Sequence, residues 1–270
     1  MTVRLVAGDA CVVVDPQVGG RATSWQVGGV ELLGHAHDAG ATTPVGHGMY
    51  VMAPWAGRLR DSTLRYDGAA HPMPVDATGW ALHGTVLDRP WTVDVAAVDR
   101  AELSVPLEPP WPWAGTVRAG WELTPDRLVT TLTVESAEAD FPASVGWHPW
   151  FRRHIGAAAV RVHVPGEHML ERGVDHLPTG RVLSPRPPGP YDDAFPLPAG
   201  AEATISWPGV LTLRCRTDCG FVVVFDEQTT GVCVEPQTAP PDGLNTAPAL
   251  VSPDRPLTAS ATWSWTRAVD

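Results

Sequence analysis

Glycine and proline interrupt this chain so often that a long helix has little room to form. The 270 residues include 26 glycines and 28 prolines, which divide the chain into short apolar runs. Proline removes a helix hydrogen bond and glycine raises the entropic cost of ordering the backbone, so both favour strands separated by turns. No convincing amphipathic helix of more than two turns is present. The chain is therefore predicted to be all-β.

Alternating polarity within the runs indicates antiparallel strands. Apolar residues occupy every second position from Leu257 to Trp265, with threonine and serine between them. Residues 115–123 and 128–135 alternate in the same way around a turn at Pro125-Asp126. Such alternation is typical of strands with one buried face. We predict a large antiparallel β-sandwich that forms a single domain over residues 1–270, because no composition shift marks a linker.

Two segments carry more specific structural predictions. Residues 3–14 are predicted to form one opening strand, which ends before Gly19-Gly20. The proline-rich residues 184–198 are predicted to form a long loop, because proline cannot serve a central strand.

The charge of the chain limits its partners. The formal net charge is −11, which makes nucleic acids and anionic membrane surfaces poor partners. All 19 basic residues are arginines. The absence of lysine excludes a Schiff-base lysine and a phosphate-loop lysine. No cofactor is expected.

The ends and cysteines of the chain predict a reduced, cytoplasmic protein. Residues 1–14 lack the apolar run of a signal peptide, and no stretch reaches the roughly 18 apolar residues of a membrane span. The four cysteines are too few and too scattered for a disulfide scaffold. They are Cys11, Cys215, Cys219 and Cys233. The oligomeric state, monomer or homodimer, is left open.

The first candidate for chemistry is a histidine between two tryptophans. His148 lies in the segment Trp147-His148-Pro149-Trp150, where the proline restricts the backbone of the residue before it. A titratable imidazole on a stiffened backbone, walled by aromatic rings, suits a proton donor to a small polar ligand. The alternative is a histidine in an aromatic core, and this stretch alone does not decide between the two.

Four further positions carry polar groups with possible roles. Arg58 follows a turn and could bind hydroxyls or a carboxylate, although a surface ion pair is the simpler interpretation. His83 precedes Gly84, which permits close approach, but Leu-His-Gly alone is a weak signal. Asp192 and Asp193 could grip hydroxyls or could belong to a solvated turn.

A glutamate closes the set of candidates. Glu235 ends an apolar run and is followed by Pro236, which predicts a carboxylate at a fixed place at the end of a strand. Burial there would raise its pKa toward the range of a general base. The alternative is a strand-end glutamate in a salt bridge.

These motifs together resemble the aldose 1-epimerases, also called galactose mutarotases. The resemblance extends from about Gly19 to Trp265 and includes Tyr66-Asp67-Gly68 in a turn over residues 60–68. Its main motifs, in the order of the family, are Leu82-His83-Gly84, Gly146-Trp147-His148-Pro149-Trp150-Phe151 and Val234-Glu235-Pro236-Gln237-Thr238.

The resemblance implies a fold and a reaction. The fold is the large antiparallel β-sandwich of that family, and the reaction interconverts the α and β anomers of a free hexose by ring opening and reclosure. By motif, Glu235 would remove the proton of the anomeric hydroxyl and His148 would protonate the ring oxygen. His83 would hydrogen-bond the sugar. The expected ligand is a small-molecule monosaccharide, with no cofactor and no metal.

The resemblance also implies the binding groups. Arg58 and one of Asp192 and Asp193 would hold the remaining hydroxyls, with Trp147 and Trp150 as aromatic contacts. Two positions depart from the family pattern: Gly57 stands where many members have asparagine, and Trp150 stands where tyrosine is common.

Three alternatives remain at this level. An epimerase of a hexose 6-phosphate could use Arg152-Arg153 and Arg58-Leu59-Arg60 to hold the phosphate. A non-catalytic sugar-binding or regulatory module would not need the acid and base. A metal-dependent sandwich enzyme is suggested by the 10 histidines, but His35-x-His37 is a poor site by itself. His47 is predicted to lie in a loop, and His154, His163, His168 and His176 at the surface.

Overall fold

The computed structural model describes residues 1–34 and 44–268, and His35 and His37 lie outside this part of the chain. The strands of the first half are β1 (Val3–Ala7), β2 (Ala10–Asp15), β3 (Arg21–Val27), β4 (Val30–Glu31), β5 (Met49–Met52), β6 (Thr63–Tyr66), β7 (Ala69–Pro72), β8 (Thr92–Ala96), β9 (Arg100–Leu107), β10 (Gly115–Leu123), β11 (Arg127–Ser136) and β12 (Phe141–Ala143). A 3₁₀ turn, Arg60–Ser62, precedes β6.

The second half continues with strands and one short helix. The strands are β13 (Gly146–Arg152), β14 (His154–Ile155), β15 (Ala158–Ala159), β16 (Arg161–His163), β17 (Met169–Arg172), β18 (Pro178–Leu183), β19 (Asp192–Pro196), β20 (Glu202–Trp207), β21 (Leu211–Thr217), β22 (Phe221–Phe225), β23 (Gly231–Gln237), β24 (Ala249–Val251) and β25 (Leu257–Arg267). The α-helix α1 (Gly243–Thr246) is a single turn. Among the described residues, no helix is long and apolar enough to cross a membrane.

Two large antiparallel sheets organise the structure. One has nine strands in the order β1-β2-β3-β5-β13-β23-β22-β19, with β4 paired to β3. The other has eight strands in the order β16-β20-β21-β25-β11-β10-β9-β8. The predicted hairpin between β10 and β11 and the alternating strand β25 are both present. The prediction of an all-β antiparallel sandwich is confirmed.

The core between the two sheets is rich in tryptophan. Trp25 of the nine-stranded sheet meets Trp263 of the eight-stranded sheet at a ring-centroid distance of 6.1 Å in an edge-to-face arrangement. Phe151 also lies 5.9 Å from Trp263. Large aromatic side chains bury much apolar area each, and such edge-to-face pairs add favourable contacts. These contacts pack one face of the nine-stranded sheet against the other sheet, and its second face is available for a site.

Two of the finer predictions were wrong. Residues 3–14 form two strands, because Gly8 adopts a positive φ of 59° and the chain turns there into β2. The predicted loop over residues 184–198 contains β19, which pairs with β22 at the edge of the nine-stranded sheet. The prolines led to the prediction of a loop, but proline is tolerated on an edge strand. The two aspartates of β19 bind Arg172.

Candidate active site

Strand alternation separates the residues of β13 and β23 into a core set and a cavity set. Trp147 and Phe151 of β13 belong to the hydrophobic core. His148 and Trp150, on the other face of the same strand, line a cavity of about 510 Å³. Neighbouring side chains of a strand point to opposite faces, so the core residues lie on one face of β13 and the cavity residues on the other. The cavity therefore lies over the face of the nine-stranded sheet that the core does not use.

Most of the predicted site residues converge on this cavity. Those that line it are Arg58, His83, His148, Trp150, Asp192 and Glu235. They come from five separate parts of the chain, and the fold brings them together. A cavity of this size is typical of a small-molecule site.

Two predicted site residues do not line the cavity. Trp147 is 1% exposed and packs in the core, because its side chain and that of His148 point to opposite faces of β13. Asp193 follows Asp192 on β19, so their side chains point to opposite faces of the strand. Oδ1 of Asp193 lies 3.3 Å from Nε of Arg172. Trp147 therefore does not line the cavity as predicted, and of the two aspartates, one of which was predicted to bind hydroxyls, Asp192 is the one that lines it.

Glu235 and His148 form a buried pair. His148 Nε2 lies 3.1 Å from Glu235 Oε1, and the side chains are 6% and 2% exposed. Gln237 Nε2 donates to the other carboxyl oxygen, Oε2, at 2.9 Å. Glu235 lies within β23 and not at its end, because the strand continues to Gln237. The hydrogen bond from Gln237 fixes the orientation of the carboxyl group.

Burial opposes charge on both members of the pair. It lowers the pKa of His148 to about 3, with Arg21 and Arg58 acting in the same direction. It also raises the pKa of Glu235 well above its usual value, and the nearby carboxylate of Asp192 adds to this rise. Two buried groups that both resist ionisation favour a neutral pair with one proton between them.

The low pKa of His148 predicts a loss of stability in mild acid. The folded state keeps this imidazole neutral down to pH about 3, whereas the unfolded chain protonates it near pH 6.5. The unfolded state therefore binds more protons between these values, and stability falls as the pH decreases through this window. From pH 7 to pH 5 the loss attributable to His148 is about 2 kcal/mol.

Urea unfolding at pH 7 and pH 5 would measure this effect. Protonation of Glu235 has the opposite effect on stability, so the wild type and the variants that are compared all retain Glu235. We expect the loss of stability between the two pH values to be smaller in His148→Asn than in the wild type, and unchanged in His163→Asn, whose side chain is exposed. An equal loss in His148→Asn and the wild type would contradict the buried neutral imidazole.

His148 is fixed by aromatic neighbours. Its ring stacks on Tyr50 of β5 at a centroid distance of 4.6 Å and an interplanar angle of 16°. It also stacks on Trp150 at 5.4 Å. The imidazole thus contacts Tyr50 and Trp150, whereas Trp147, the other tryptophan close to it in sequence, packs in the core. Trp150 is held in turn, because its Nε1 donates to the Val45 carbonyl at 2.9 Å.

The backbone around His83 defines which nitrogen of its ring can donate. The Gly57 N–H donates to His83 Nδ1 at 3.2 Å, so Nδ1 is an acceptor and the ring proton is on Nε2. Burial lowers the pKa of His83 well below its usual value, and it remains a neutral donor. His83 has a positive φ of 60°, a conformation that costs energy for a residue other than glycine and often occurs at functional sites.

An ion-pair network connects the cavity to a neighbouring hairpin. Asp192 Oδ2 lies 3.2 Å from Arg58 Nη2 and 3.2 Å from Nη1 of Arg172, the last residue of β17. Arg172 also pairs with Asp193 at 3.3 Å and with Glu227 at 2.9 Å. Both guanidinium groups pair with Oδ2 of Asp192, which leaves Oδ1 available as an acceptor.

Several buried polar atoms of the cavity wall have no hydrogen-bond partner among the described residues. They are Tyr50 Oη, Arg58 Nε, His148 Nδ1 and Gln237 Oε1. Leaving such a group unpaired costs about 1–3 kcal/mol. These buried polar groups add an energetic cost to the cavity wall that the described residues do not offset.

The family model for aldose 1-epimerases matches residues 1–245. The chain belongs to the aldose 1-epimerase family. The matched span contains every residue of the cavity named above.

Similar structures share the fold of this chain. An Escherichia coli K12 protein solved as a candidate aldose 1-epimerase superposes with a TM-score of 0.86 at 18% identity, over 99% of each chain. A galactose mutarotase-like protein of Clostridium acetobutylicum gives 0.82 at 18% identity, over 98% of this chain and 94% of that one. The uncharacterized protein YihR of Escherichia coli K12 is 23% identical over 231 residues, 75% of this chain and 73% of YihR.

The structure explains one departure of this chain from the epimerase pattern. Gly57 has a positive φ of 75°, and a Cβ there would lie 2.9 Å from Cα of Pro241. A side chain at this position would therefore require the backbone at Pro241 to shift. In this member of the family, the backbone of Gly57 contacts His83, and no side chain is present to contact a sugar.

Sequence reasoning missed three residues of the candidate site. Gln237 could have been found, since it lies two residues from Glu235 and strand alternation places both on one face. Tyr50 and Arg172 carried no sequence signal. Tyr50 lies in an apolar run, and Arg172 lies in a hairpin outside the two large sheets.

One metal-ligand grouping occurs among the described residues. His148, Cys233 and Glu235 place one ligand atom each within 4.8 Å of one another. His47, predicted to be in a loop, lies in the bend before β5, where its Nε2 is 3.4 Å from Arg21. The four histidines predicted to be at the surface are all exposed.

Proposed function

We propose that this protein interconverts the α and β anomers of a free aldose. The observation that carries the proposal is the Glu235–His148 pair, whose Oε1 and Nε2 atoms lie 3.1 Å apart at the wall of the cavity. Ring opening requires a base at the anomeric hydroxyl and an acid at the ring oxygen. Both sugar oxygens are bonded to C1, so an acid and a base in contact can reach the two of them together.

In the proposed reaction the proton shared by the pair first passes to His148 Nε2, which leaves Glu235 as a carboxylate; Glu235 then accepts the proton of the anomeric hydroxyl while His148 Nε2 donates the shared proton to the ring oxygen, so the pair again holds one proton. The C1–O5 bond breaks, and C1 becomes the carbon of an aldehyde. Rotation about C1–C2 presents the other face of the aldehyde, and the same two groups close the ring with their roles reversed. His83 Nε2–H stabilises the oxygen that develops negative charge. General acid and base steps of this kind contribute about 10²–10⁴-fold each.

The remaining groups fit the hydroxyls of the sugar. Arg58 and Asp192 both line the cavity, and Asp192, which binds Arg58 through Oδ2, retains Oδ1 as an acceptor. A donor and an acceptor side by side match two adjacent hydroxyls. Trp150 and Phe225 meet edge to face at 5.7 Å and supply an apolar wall for the carbon face of a ring.

The arginines considered for a phosphate have other partners. Arg60 pairs with Asp175 at 2.9 Å and with Asp242 at 3.4 Å. Arg153 donates to the carbonyls of residues 226 and 228, and Arg152 Nε donates to the Leu33 carbonyl at 3.1 Å. Among the described residues that line the cavity, Arg58 is the one cation, and two carboxyl groups accompany it. These contacts favour an uncharged sugar over a hexose 6-phosphate.

Polarimetry on freshly dissolved α-D-glucose and α-D-galactose tests the proposal. We expect the optical rotation to approach equilibrium faster with the protein than without it. Sugar binding without acceleration on any free aldose would support the non-catalytic module instead. Acceleration on a hexose 6-phosphate alone would overturn the assignment of an uncharged substrate.

Arg172 is expected to affect substrate affinity through Asp192. Removing its charge in Arg172→Met releases one of the two guanidinium groups that hold Asp192 Oδ2. Loss of a hydrogen bond to a charged group costs about 1.5–3 kcal/mol, so we expect KM to rise about tenfold or more while kcat changes less.

The steady-state constants of Arg172→Met would be compared with those of Arg181→Met. Arg181 lies on the adjacent strand β18 and pairs with Glu171 at 3.1 Å. The control therefore removes an arginine ion pair from the same hairpin without touching Asp192. Equal KM values in the two variants would show that Arg172 does not position Asp192.

A further inference from the structure

A thiol lies beside the proposed catalytic pair, and the reaction gives it no role. Cys233 is fully buried on β23, two residues before Glu235, so both side chains point to the same face. The register between β13 and β23 places His148 opposite Glu235. Strand geometry thus brings a buried thiol next to the imidazole and the carboxyl group that line the cavity.

The three groups have nearly the spacing of ligands around one metal ion. Their ligand atoms lie within 4.8 Å of one another, and the nitrogen and oxygen are already 3.1 Å apart. Ligands bound to tetrahedral zinc at about 2.0–2.3 Å are separated by roughly 3.3–3.8 Å. A side-chain movement on the order of 1 Å would bring the sulfur to this distance.

We infer that Cys233 Sγ, His148 Nε2 and Glu235 Oε1 form a binding site for a thiophilic divalent cation such as zinc. The fourth position faces the cavity and is open to water or to a sugar hydroxyl. Binding displaces the thiol proton and the proton shared by the pair, so a thiolate and a carboxylate neutralise the two charges of the cation. A thiolate ligand selects zinc and cobalt over magnesium and calcium.

The consequence for the reaction is inhibition. A bound cation occupies the nitrogen and the oxygen that would otherwise transfer protons to and from the sugar. This consequence rests on the proposed function, whereas the binding of the cation does not. The two are therefore tested by separate measurements.

Titration of the untagged protein with Co²⁺ tests the site without any assay of activity. We expect a thiolate-to-cobalt charge-transfer band that saturates at one ion per chain. The band should persist in Cys219→Ser, which changes another buried cysteine, and disappear in Cys233→Ser. Cys233→Ala serves as a second variant if serine prevents folding. Absence of the band from the wild type, or its persistence without Cys233, would overturn the inference.

Polarimetry with Zn²⁺ tests the inhibition. We expect Zn²⁺ to slow mutarotation at least about tenfold while Mg²⁺ at the same concentration does not, and the inhibition constant to be at least about tenfold higher in Cys233→Ser than in the wild type. Equal inhibition constants would show that the thiol is not a ligand. If the protein accelerates no sugar, the proposed function fails, and the cobalt titration still decides the metal site.

Discussion

Replacing Glu235 by glutamine is expected to abolish most of the proposed mutarotase activity and leave the fold intact. Glutamine retains the size of the side chain but cannot accept the proton of the anomeric hydroxyl. Because a general base contributes about 10²–10⁴-fold, we expect kcat to fall by about that factor. The free energy of unfolding should change little or increase, since burial already disfavours the charged carboxylate.

Polarimetry and urea unfolding of Glu235→Gln would be compared with those of Glu122→Gln. Glu122 lies on β10 with its side chain exposed, so the control makes the same chemical change away from the cavity. Quenching of Trp150 fluorescence by a methyl glycoside, which cannot open, would report whether the variant still binds sugar. Full activity of Glu235→Gln would refute the assignment of the base.

Alanine at Gly84 is expected to cause the largest loss of stability of any change considered. Gly84 has a φ of 89°, and a Cβ there would lie 1.8 Å from the carbonyl oxygen of Ala53. That oxygen also accepts a hydrogen bond from the Thr85 N–H at 3.0 Å, so any shift of the backbone breaks a second contact. We expect a cost on the order of 3–5 kcal/mol, a large part of the stability of a typical domain.

Gly79 offers a matched control for this substitution. It has the same φ of 89°, but a Cβ there would meet nothing within 4 Å. Gly79→Ala therefore carries only the strain of the backbone conformation, about 1–3 kcal/mol. Urea unfolding of both variants isolates the contact with Ala53 as their difference. Equal losses would show that Gly84 is not required for close packing.

The loss of packing at Gly84 should also reach the active site. His83 is the preceding residue, and its own N–H donates to the Gly57 carbonyl at 3.0 Å. A shift of the backbone at Gly84 would therefore move the imidazole of His83, which lines the cavity. The Leu-His-Gly motif thus combines a functional side chain with the glycine that allows the chain to place it.

The local sequence pattern was enough to predict the fold class and most residues of the candidate site. Alternation along β25 and the frequency of glycine and proline are local properties, and they were sufficient to predict antiparallel strands. The same alternation separates Trp147 from His148 and groups Gln237 with Glu235, so these two assignments could have been made from sequence. The prediction that placed Trp147 at the ligand did not use this constraint.

The neighbours across strands could be decided only by the tertiary structure. Tyr50 stacks on His148 because β5 pairs with β13, and Cys233 approaches His148 because β13 pairs with β23. Arg172 reaches Asp192 from a hairpin outside the two large sheets. Each contact depends on the register between segments far apart in sequence. A period of two residues tells which face a side chain occupies, but not which strand lies beside it.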